Sequence, residues 1–375
     1  MDHSECGQPL YKIALSMTPS VNAELVRRME ERGMTPEEFM ISPTAELCRR
    51  LDLRRSDSLQ HAKRDEALIR ARKEMEYMDR HNIRFLFLTD ESYPELLTDL
   101  HDAPVGLYVL GTCDLNSPIM LSMVGTRRCT PYGRNFAMTL IRDLADYFDN
   151  LTVVSGLAYG IDIAAHQAAL EAHLPTVAVV AHGLNTVYPA QHTEVARTIV
   201  RSGGCIISEY PSGTPAHKGN FLARNRIVAG LSPLTIVAES EIKGGAMSTA
   251  RHANDCDRQV MALPGRNSDT ASSGCNNLIR RHLASLVENA ADVMELMGWK
   301  PRDLHVKVTQ RNLFPELDGD VKIIYDCLRF EDSPLTPDAI RYKTGLPIRR
   351  IMELLPDMEF DGIVVRGAGN KYMVI

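Results

Sequence analysis

Several turns that follow predicted strands combine glycine with cationic residues, a pattern typical of phosphate binding. The first is Gly125-Thr126-Arg127-Arg128, directly after an apolar run. Glycine lets the backbone turn sharply and leaves N–H groups free for an anion, and the arginines add positive charge. A second turn contains Ser155, Gly156 and Gly160, and a third is Lys243-Gly244-Gly245. Because such turns converge at the carboxyl edge of an open α/β sheet, we expect these residues to share one crevice.

Neither of the first two turns has the Gly-x-Gly-x-x-Gly spacing of a dinucleotide site, so no cofactor is predicted. Asp162 follows the second turn and is interpreted as a helix-start carboxylate that bonds local amides, not as an acid or base. The eight cysteines include no Cys-x-x-Cys pair and no neighbouring histidine pattern suited to zinc. No metal site is therefore predicted.

The segment from Lys218 to Arg226 combines a lysine, a large aromatic residue and two arginines. Cations bind backbone phosphates, and a ring such as that of Phe221 can stack on an unpaired base, a contact worth roughly 1–3 kcal/mol. The residues alone leave another interpretation open, in which Phe221 anchors the core and Arg224 and Arg226 pair with Glu209 or Glu239. The formal net charge of −6 would repel a polyanion, so nucleic-acid binding requires a focused basic patch.

Strands and helices alternate from Ile83 onwards, which predicts an α/β fold with a mostly parallel sheet covered on both faces. The predicted strands are Ile83–Leu88, Ile119–Val124, Leu151–Val154, Thr176–Ala181, Cys205–Ser208, Leu234–Ala238 and Gln259–Ala262. The helices between them are Tyr132–Phe148, Ile161–His173, His192–Arg201, Phe221–Ala229, Ala246–Cys256 and Asn276–Leu286. This arrangement places each glycine turn between a strand and a helix.

Helical patterns flank the α/β region on both sides. Residues 1–80 are predicted to form a helical module and a long polar connecting helix, and residues 81–299 form the α/β domain. A polar, proline-containing linker over 300–316 follows. Three short helical patterns and two apolar runs around Gly367-Ala368-Gly369 then predict a winged-helix-like domain over 317–375.

The chain shows no feature of a membrane or secreted protein. Its longest apolar runs are far shorter than the roughly 18 residues that a bilayer span needs. The first residues contain no basic segment leading into an apolar one, so no secretory signal is visible. We therefore expect a cytoplasmic location and no membrane partner.

Six motifs occur in order between residues 83 and 298. They are Val124–Arg127, Ser155–His166, Val187–Pro189, Ser208–Pro211, Phe221–Ser232 and Leu263–Gly265. Together they resemble the DprA/Smf family of bacterial DNA-processing proteins. The resemblance implies an enlarged Rossmann-like, doubly wound domain, flanked by an N-terminal SAM-like module and a C-terminal winged-helix-like domain.

The same resemblance implies a function and the residues that carry it. It implies a homodimer that binds incoming single-stranded DNA, protects it from nucleases and helps to load RecA in natural transformation. Arg127 and Lys218 would hold phosphates, and Phe221 would stack a base. Arg224, Asn225 and Arg226 would shape the same pocket.

Two other classes of function share features with this sequence. Lysine-decarboxylase-like nucleotide phosphoribohydrolases resemble this fold, but Pro264–Thr270 lacks the second glycine and the glutamate of their Pro-Gly-Gly-x-Gly-Thr motif. We therefore expect no enzymatic activity. The C-terminal domain could instead read duplex DNA. Its cations, Arg341, Lys343, Arg349 and Arg350, are opposed by Glu353, Asp357, Glu359 and Asp361.

Overall fold

A nine-stranded sheet forms the centre of the larger of two structural units. The computed structural model describes residues 7–19, 21–53, 60–301, 319–329, 334–360, 363–367 and 371–374. The first unit spans 1–302 and the second 303–375. Nearly all of the predicted linker, 302–316 of 300–316, lies outside the described residues. In the described parts of the chain, no helix is long and apolar enough to cross a bilayer.

The sheet is largely parallel, as predicted. Its strands are β1 (Ile83–Phe87), β2 (Gly106–Gly111), β3 (Met120–Gly125), β4 (Thr152–Ser155), β5 (Thr176–Val179), β6 (Cys205–Ser208), β7 (Leu234–Glu239), β8 (Gln259–Ala262) and β9 (Ser285–Leu286). They lie in the order β1-β2-β6-β5-β4-β3-β7-β8-β9. Only the β1–β2 and β2–β6 pairs of this sheet are antiparallel. The order reverses at β3, between β4 and β7, and open α/β sheets bind ligands at such a switch point.

Helices cover both faces of the sheet. They are α6 (Glu95–Thr98), α7 (Pro131–Ala145), α8 (Ile161–Glu171), α9 (Thr193–Arg201), α10 (Lys218–Gly230), α11 (Ala246–Asp255), α12 (Ser273–Arg280) and α13 (Ala290–Met297). Successive strand residues face opposite sides, so Met123 packs with Leu140 of α7, whereas Val124 belongs to the cluster that contains Ile227 of α10. Both faces of the central strands are therefore buried.

The N-terminal helices share the core of one face of the sheet. They are α1 (Gly7–Ser16), α2 (Ala23–Glu31), α3 (Pro36–Ile41), α4 (Thr44–Leu51) and α5 (His61–His81). Thr35 and Glu38 form a capping box that fixes the start of α3. The connecting helix α5 is not solvated on all sides, because Arg64 is buried and donates to the backbone oxygens of Phe39 and Met40.

The predicted helix Asn276–Leu286 is wrong in its second half. Helix α12 ends at Arg280, and His282 follows with φ of +57°, a left-handed conformation that terminates a helix. Ser285 and Leu286 then pair in parallel with β8. Strand β2 was not predicted at all.

The second unit contains three helices and a hairpin around its own core. Its elements are α14 (Gly319–Arg329), α15 (Pro337–Thr344), α16 (Ile348–Phe360), β10 (Val364–Gly367) and β11 (Lys371–Val374). Ile324, Ile340, Leu355 and Tyr372 share one apolar cluster. The two strands pair antiparallel.

Candidate nucleic-acid interface

A cavity of about 730 Å³ opens at the switch point of the sheet. The turn after β3 forms one wall, and the turn between β7 and α11 contributes another. Helix α10 contributes several residues from its first turns. The predicted turns after β3 and β7 therefore reach one crevice, since the switch point brings the carboxyl ends of these strands side by side, and the predicted turn after β4 reaches it only through Ala158.

Most of the predicted site residues line this cavity. They are Gly125, Thr126, Arg127, Arg128, Lys218, Phe221, Arg224, Asn225, Gly244 and Gly245. Gly156 lines a small cleft that shares Arg127 and Phe221 with the cavity. Ser155, Gly160, Arg226 and Lys243 line neither the cavity nor the cleft.

Arg127, Lys218 and Phe221 lie together in the accessible part of the cavity. Arg127 and Lys218 are exposed, and Phe221 is half-buried. The guanidinium carbon of Arg127 lies 5.1 Å from the centre of the Phe221 ring, within the range of a cation–π contact. Lys218 is the first residue of α10, one turn before Phe221. Two cations and one ring thus lie at the same opening.

The Arg127 turn is held by hydrogen bonds from three elements. The N–H of Thr126 donates to the backbone oxygen of Glu239 at 2.7 Å. The N–H of Ile161 donates to the backbone oxygen of Thr126 at 3.3 Å. The carboxylate of Glu239, at the end of β7, accepts bonds from the N–H and hydroxyl of Thr130, both at 2.7 Å. Arg127 therefore projects from an ordered backbone.

Gly160 supports this turn without lining the cavity. Its φ of +79° and ψ of −120° belong to a region that glycine alone adopts readily. A Cβ atom there would lie 2.1 Å from the backbone oxygen of Thr126. The glycine is needed for close backbone packing, so its role is to position the Arg127 turn.

Arg224 forms a buried cationic wall of the cavity. It is only 4% exposed, and a Cβ atom on Gly156 would overlap its guanidinium. Burial raises the pKa of the neighbouring Asp162, and Arg224 opposes that rise. Burial lowers the pKa of Arg224, but a guanidinium stays protonated in proteins. Asp162 also accepts bonds from the N–H groups of Gly156 and Ala158, as expected of a helix-start carboxylate.

Behind this wall, His166 is fully buried and uncharged at neutral pH. Burial lowers its pKa to about 3, and Arg224 and His192 add to the effect. The hydroxyl of Thr176 donates to the backbone oxygen of Val153, so it accepts a bond from Nδ1–H of His166 at 2.8 Å. His166 is therefore a structural neighbour of the cavity wall.

The structure corrects the expectation at two positions. Arg226 binds the carboxylate of Glu209 through both terminal nitrogens, and its Nε donates to the backbone oxygen of Asp102. This is one of the pairings that the sequence left open. Ser155 is buried, and its hydroxyl donates to the backbone oxygen of Met123 at 2.6 Å. Both side chains are used within the protein and do not face the cavity.

Two tyrosines beside the cavity were not predicted as site residues. Tyr188 is 46% exposed and lines both the cavity and the small cleft, and Tyr159 is 40% exposed and lines the cleft. Both occur in motifs that carry the family resemblance, but a sequence motif does not show which ring is exposed. Glu241 also lines the cavity and adds a negative charge that was not predicted.

The described residues offer no obvious metal chemistry. Among them, no group of three or more His, Cys, Asp or Glu side chains is arranged to hold an ion. The two carboxylates that line the cavity, Asp162 and Glu241, are outnumbered by four cations, Arg127, Arg128, Lys218 and Arg224. This excess of cations suits a bound anion.

The family model for DNA recombination-mediator protein A matches residues 84–298, more than half of the chain. The chain belongs to this family. Protein Smf of Escherichia coli is 30% identical over 305 residues, which cover 78% of each chain. Membership of the recombination-mediator family assigns the protein a role in DNA processing during recombination.

Two solved structures of family members have the same fold. DNA processing protein A from Streptococcus pneumoniae is 30% identical, with a TM-score of 0.64, over 76% of this chain and 97% of that one. A structure of DNA processing protein A from Helicobacter pylori, described for its single-stranded DNA binding mode, is 33% identical. Its TM-score is 0.52, over 57% of this chain and 95% of that one. These relatives support the Rossmann-like assignment of the sheet.

Proposed function

We propose that this recombination mediator binds single-stranded DNA in the cavity at the switch point of its sheet. The observation that carries the proposal is the common location of Arg127, Lys218 and Phe221. All three line one cavity, and both cations are exposed. A flexible polyanion with unpaired bases satisfies both the charge and the ring.

Each of these side chains has a different role in binding the strand. Arg127 and Lys218 bind backbone phosphates, and Arg128 adds charge at the same mouth. Phe221 stacks on a base, while Asn225 and the buried cation Arg224 shape the pocket around it. Because Arg127 is long and exposed, its guanidinium moves from the ring to a phosphate when a base takes its place. Gly244 and Gly245 let the DNA approach the backbone before α11.

The half-buried position of Phe221 favours single strands over a duplex. Bases of a duplex are paired and stacked inside the helix, so they do not reach a ring in a recessed cavity. An unpaired base can turn outward at little cost. The related Helicobacter pylori protein, whose structure was described for its binding of single-stranded DNA, supports this assignment.

The flanking parts support an accessory role in recombination. We assign the N-terminal helices to a SAM-like module and the second unit, with three helices and a hairpin, to a winged-helix-like domain. We further propose that the protein acts in the cytoplasm as a homodimer, protects incoming DNA and helps to load RecA. We propose that it does so without catalysis, since cations and an aromatic ring line the cavity. Pro264–Thr270 also lacks the second glycine and the glutamate of the phosphoribohydrolase motif.

The proposal is tested by fluorescence anisotropy with labelled single-stranded and double-stranded oligonucleotides of equal length. We expect the single strand to bind more tightly, with an affinity that falls steeply as salt is raised because phosphate contacts release counterions. Equal or tighter binding of the duplex would overturn the proposal. Binding that is independent of salt would also overturn it.

A further inference from the structure

Three aromatic rings surround the small cleft beside the cavity. Phe221, Tyr188 and Tyr159 line it together with Arg127. The rings of Phe221 and Tyr188 have their centres 5.5 Å apart and are tilted by 46°. The cleft therefore continues directly from the ring that the proposed function assigns to base stacking.

The ring of Tyr159 is fixed from several sides. Its hydroxyl donates to the side-chain oxygen of Gln191 at 2.7 Å. Its ring meets the His192 ring edge to face at 4.9 Å. His192 is itself buried and bonded to the backbone oxygen of Leu157 at 2.8 Å. A ring that is held in place but 40% exposed loses little entropy when a ligand stacks on it.

Tyr188 is held through its backbone. Its N–H donates to Nε2 of His182 at 3.2 Å, and His182 is buried with Nδ1 bonded to the backbone oxygen of Gly183. The ring remains 46% exposed. Both tyrosines thus present open aromatic surface on ordered backbone and, with Phe221, form one contiguous aromatic patch, the kind of surface that marks a binding site.

We propose that Tyr159, with Tyr188, forms a second base-stacking subsite for the nucleotide next to the one held at Phe221. This inference rests on the proposed function. Arg127 lines both the cavity and the cleft, so it can bind the phosphate that joins the two nucleotides. The cleft itself holds only about 10 Å³, so the base lies on the exposed tyrosines at its rim. Apart from Arg127, the residues that line the cleft carry no charge, as expected of a stacking surface.

The subsite accepts any base, because every base has a π-face and the cleft offers aromatic rings in place of a base-specific set of donors. It also gives the strand a path, from α10 past Tyr188 to the start of α8. Oligonucleotides long enough to reach Tyr159 gain affinity from it, whereas a mononucleotide held at Phe221 does not.

The test compares Tyr159→Ala, Tyr159→Phe and Phe221→Ala by anisotropy with a labelled oligothymidylate. We expect Tyr159→Ala to weaken binding about tenfold, the scale of one lost stacking contact, without changing the salt dependence. Tyr159→Phe should bind within about twofold of the unmodified protein because it keeps the ring. Tyr132→Ala removes a tyrosine outside the cleft that is 52% exposed, compared with 40% for Tyr159, and should have no effect.

A second readout uses oligonucleotides with 2-aminopurine at successive positions. Stacking on a ring quenches this base, so Tyr159→Ala should restore fluorescence at one position and leave its neighbour quenched by Phe221. If Tyr159→Ala binds like the unmodified protein while Phe221→Ala is weak, the second subsite is refuted and the proposed function stands. If neither variant weakens binding, both are refuted. If Tyr159→Phe is as weak as Tyr159→Ala, the ring does not act by stacking and the proposal fails.

Discussion

The guanidinium of Arg226 forms two hydrogen bonds to the carboxylate of Glu209, at 3.0 and 2.7 Å. Both side chains are more than four-fifths buried. Two residues earlier on the same helix, Arg224 turns the other way and lines the cavity. Two nearby arginines of one motif thus face different surroundings, one in an ion pair with Glu209 and one at the cavity.

Arg226→Ala should destabilise the protein and leave DNA binding almost unchanged. Removing one partner of a largely buried pair leaves the Glu209 charge uncompensated, and we expect the free energy of unfolding to fall by about 2–4 kcal/mol. Arg197→Ala is the matched control, because Arg197 pairs with Glu194 at the surface and should change stability by less than about 1 kcal/mol. A stable Arg226→Ala protein with weaker, less salt-dependent DNA binding would make Arg226 a phosphate ligand instead.

Gly160→Ala should weaken DNA binding by displacing Arg127. The new Cβ meets the backbone oxygen of Thr126, so the turn that carries Arg127 must shift. We also expect a loss of about 1–3 kcal/mol in stability from the unfavourable backbone conformation. Gly203→Ala provides the control, since Gly203 has a φ of +83° but no atom lies within 4 Å of a Cβ there. It should lose stability without losing affinity, and equal affinities for both variants would contradict the positioning role.

Glu74→Ala should weaken DNA binding from a distance. Glu74 is buried on α5 and accepts bonds from the N–H and hydroxyl of Ser212, in the loop that leads to Lys218. Without it, the partly buried N–H of Ser212 loses its partner and the loop loosens. We expect faster amide exchange at Ser212 and a several-fold loss of affinity. Glu76→Ala, at an exposed position of the same helix, should show neither change. Unchanged exchange at Ser212 would refute the coupling.

The stability of the protein should fall as the pH drops below about 6.5, in part because of His166. Its pKa is about 3 when folded and about 6.5 when unfolded, so the unfolded state binds more protons between these values. The contribution approaches about 1.4 kcal/mol per pH unit well below 6.5. His166→Asn keeps a donor to Thr176 and removes the titration. Urea unfolding at pH 7 and pH 5 should show a smaller drop for the variant, and equal drops would contradict the assignment.

Sequence patterns locate the central strands because burial on both faces leaves an unbroken apolar signal. Cys205–Ser208 and Gln259–Ala262 begin and end where predicted. Strand β2 was missed, since Gly106–Gly111 has glycine at both ends and its place between β1 and β6 depends on long-range pairing. Helix α10 begins at Lys218, three residues before the predicted start, because His217 caps it.

The sequence predicts those parts of the candidate site that are formed by local turns. The glycine turns and the segment from Lys218 to Phe221 reach one cavity because parallel strands end at the same edge. The different surroundings of Arg224 and Arg226 depend on their charged neighbours. Asp162 interacts with Arg224 and Glu209 pairs with Arg226, and both carboxylates come from other segments of the chain. The exposure of Tyr159 and Tyr188 likewise depends on packing that no local pattern encodes.

The most direct test of the central claim is the salt dependence of single-stranded DNA binding by Lys218→Ala and Phe221→Ala. Each phosphate contact contributes about 0.7 to the slope of log affinity against log salt. Lys218→Ala should lose affinity and reduce this slope by about that amount. Phe221→Ala should lose about 1–3 kcal/mol of binding free energy with an unchanged slope. If both variants bind with the affinity and slope of the unmodified protein, the cavity is not where the strand binds.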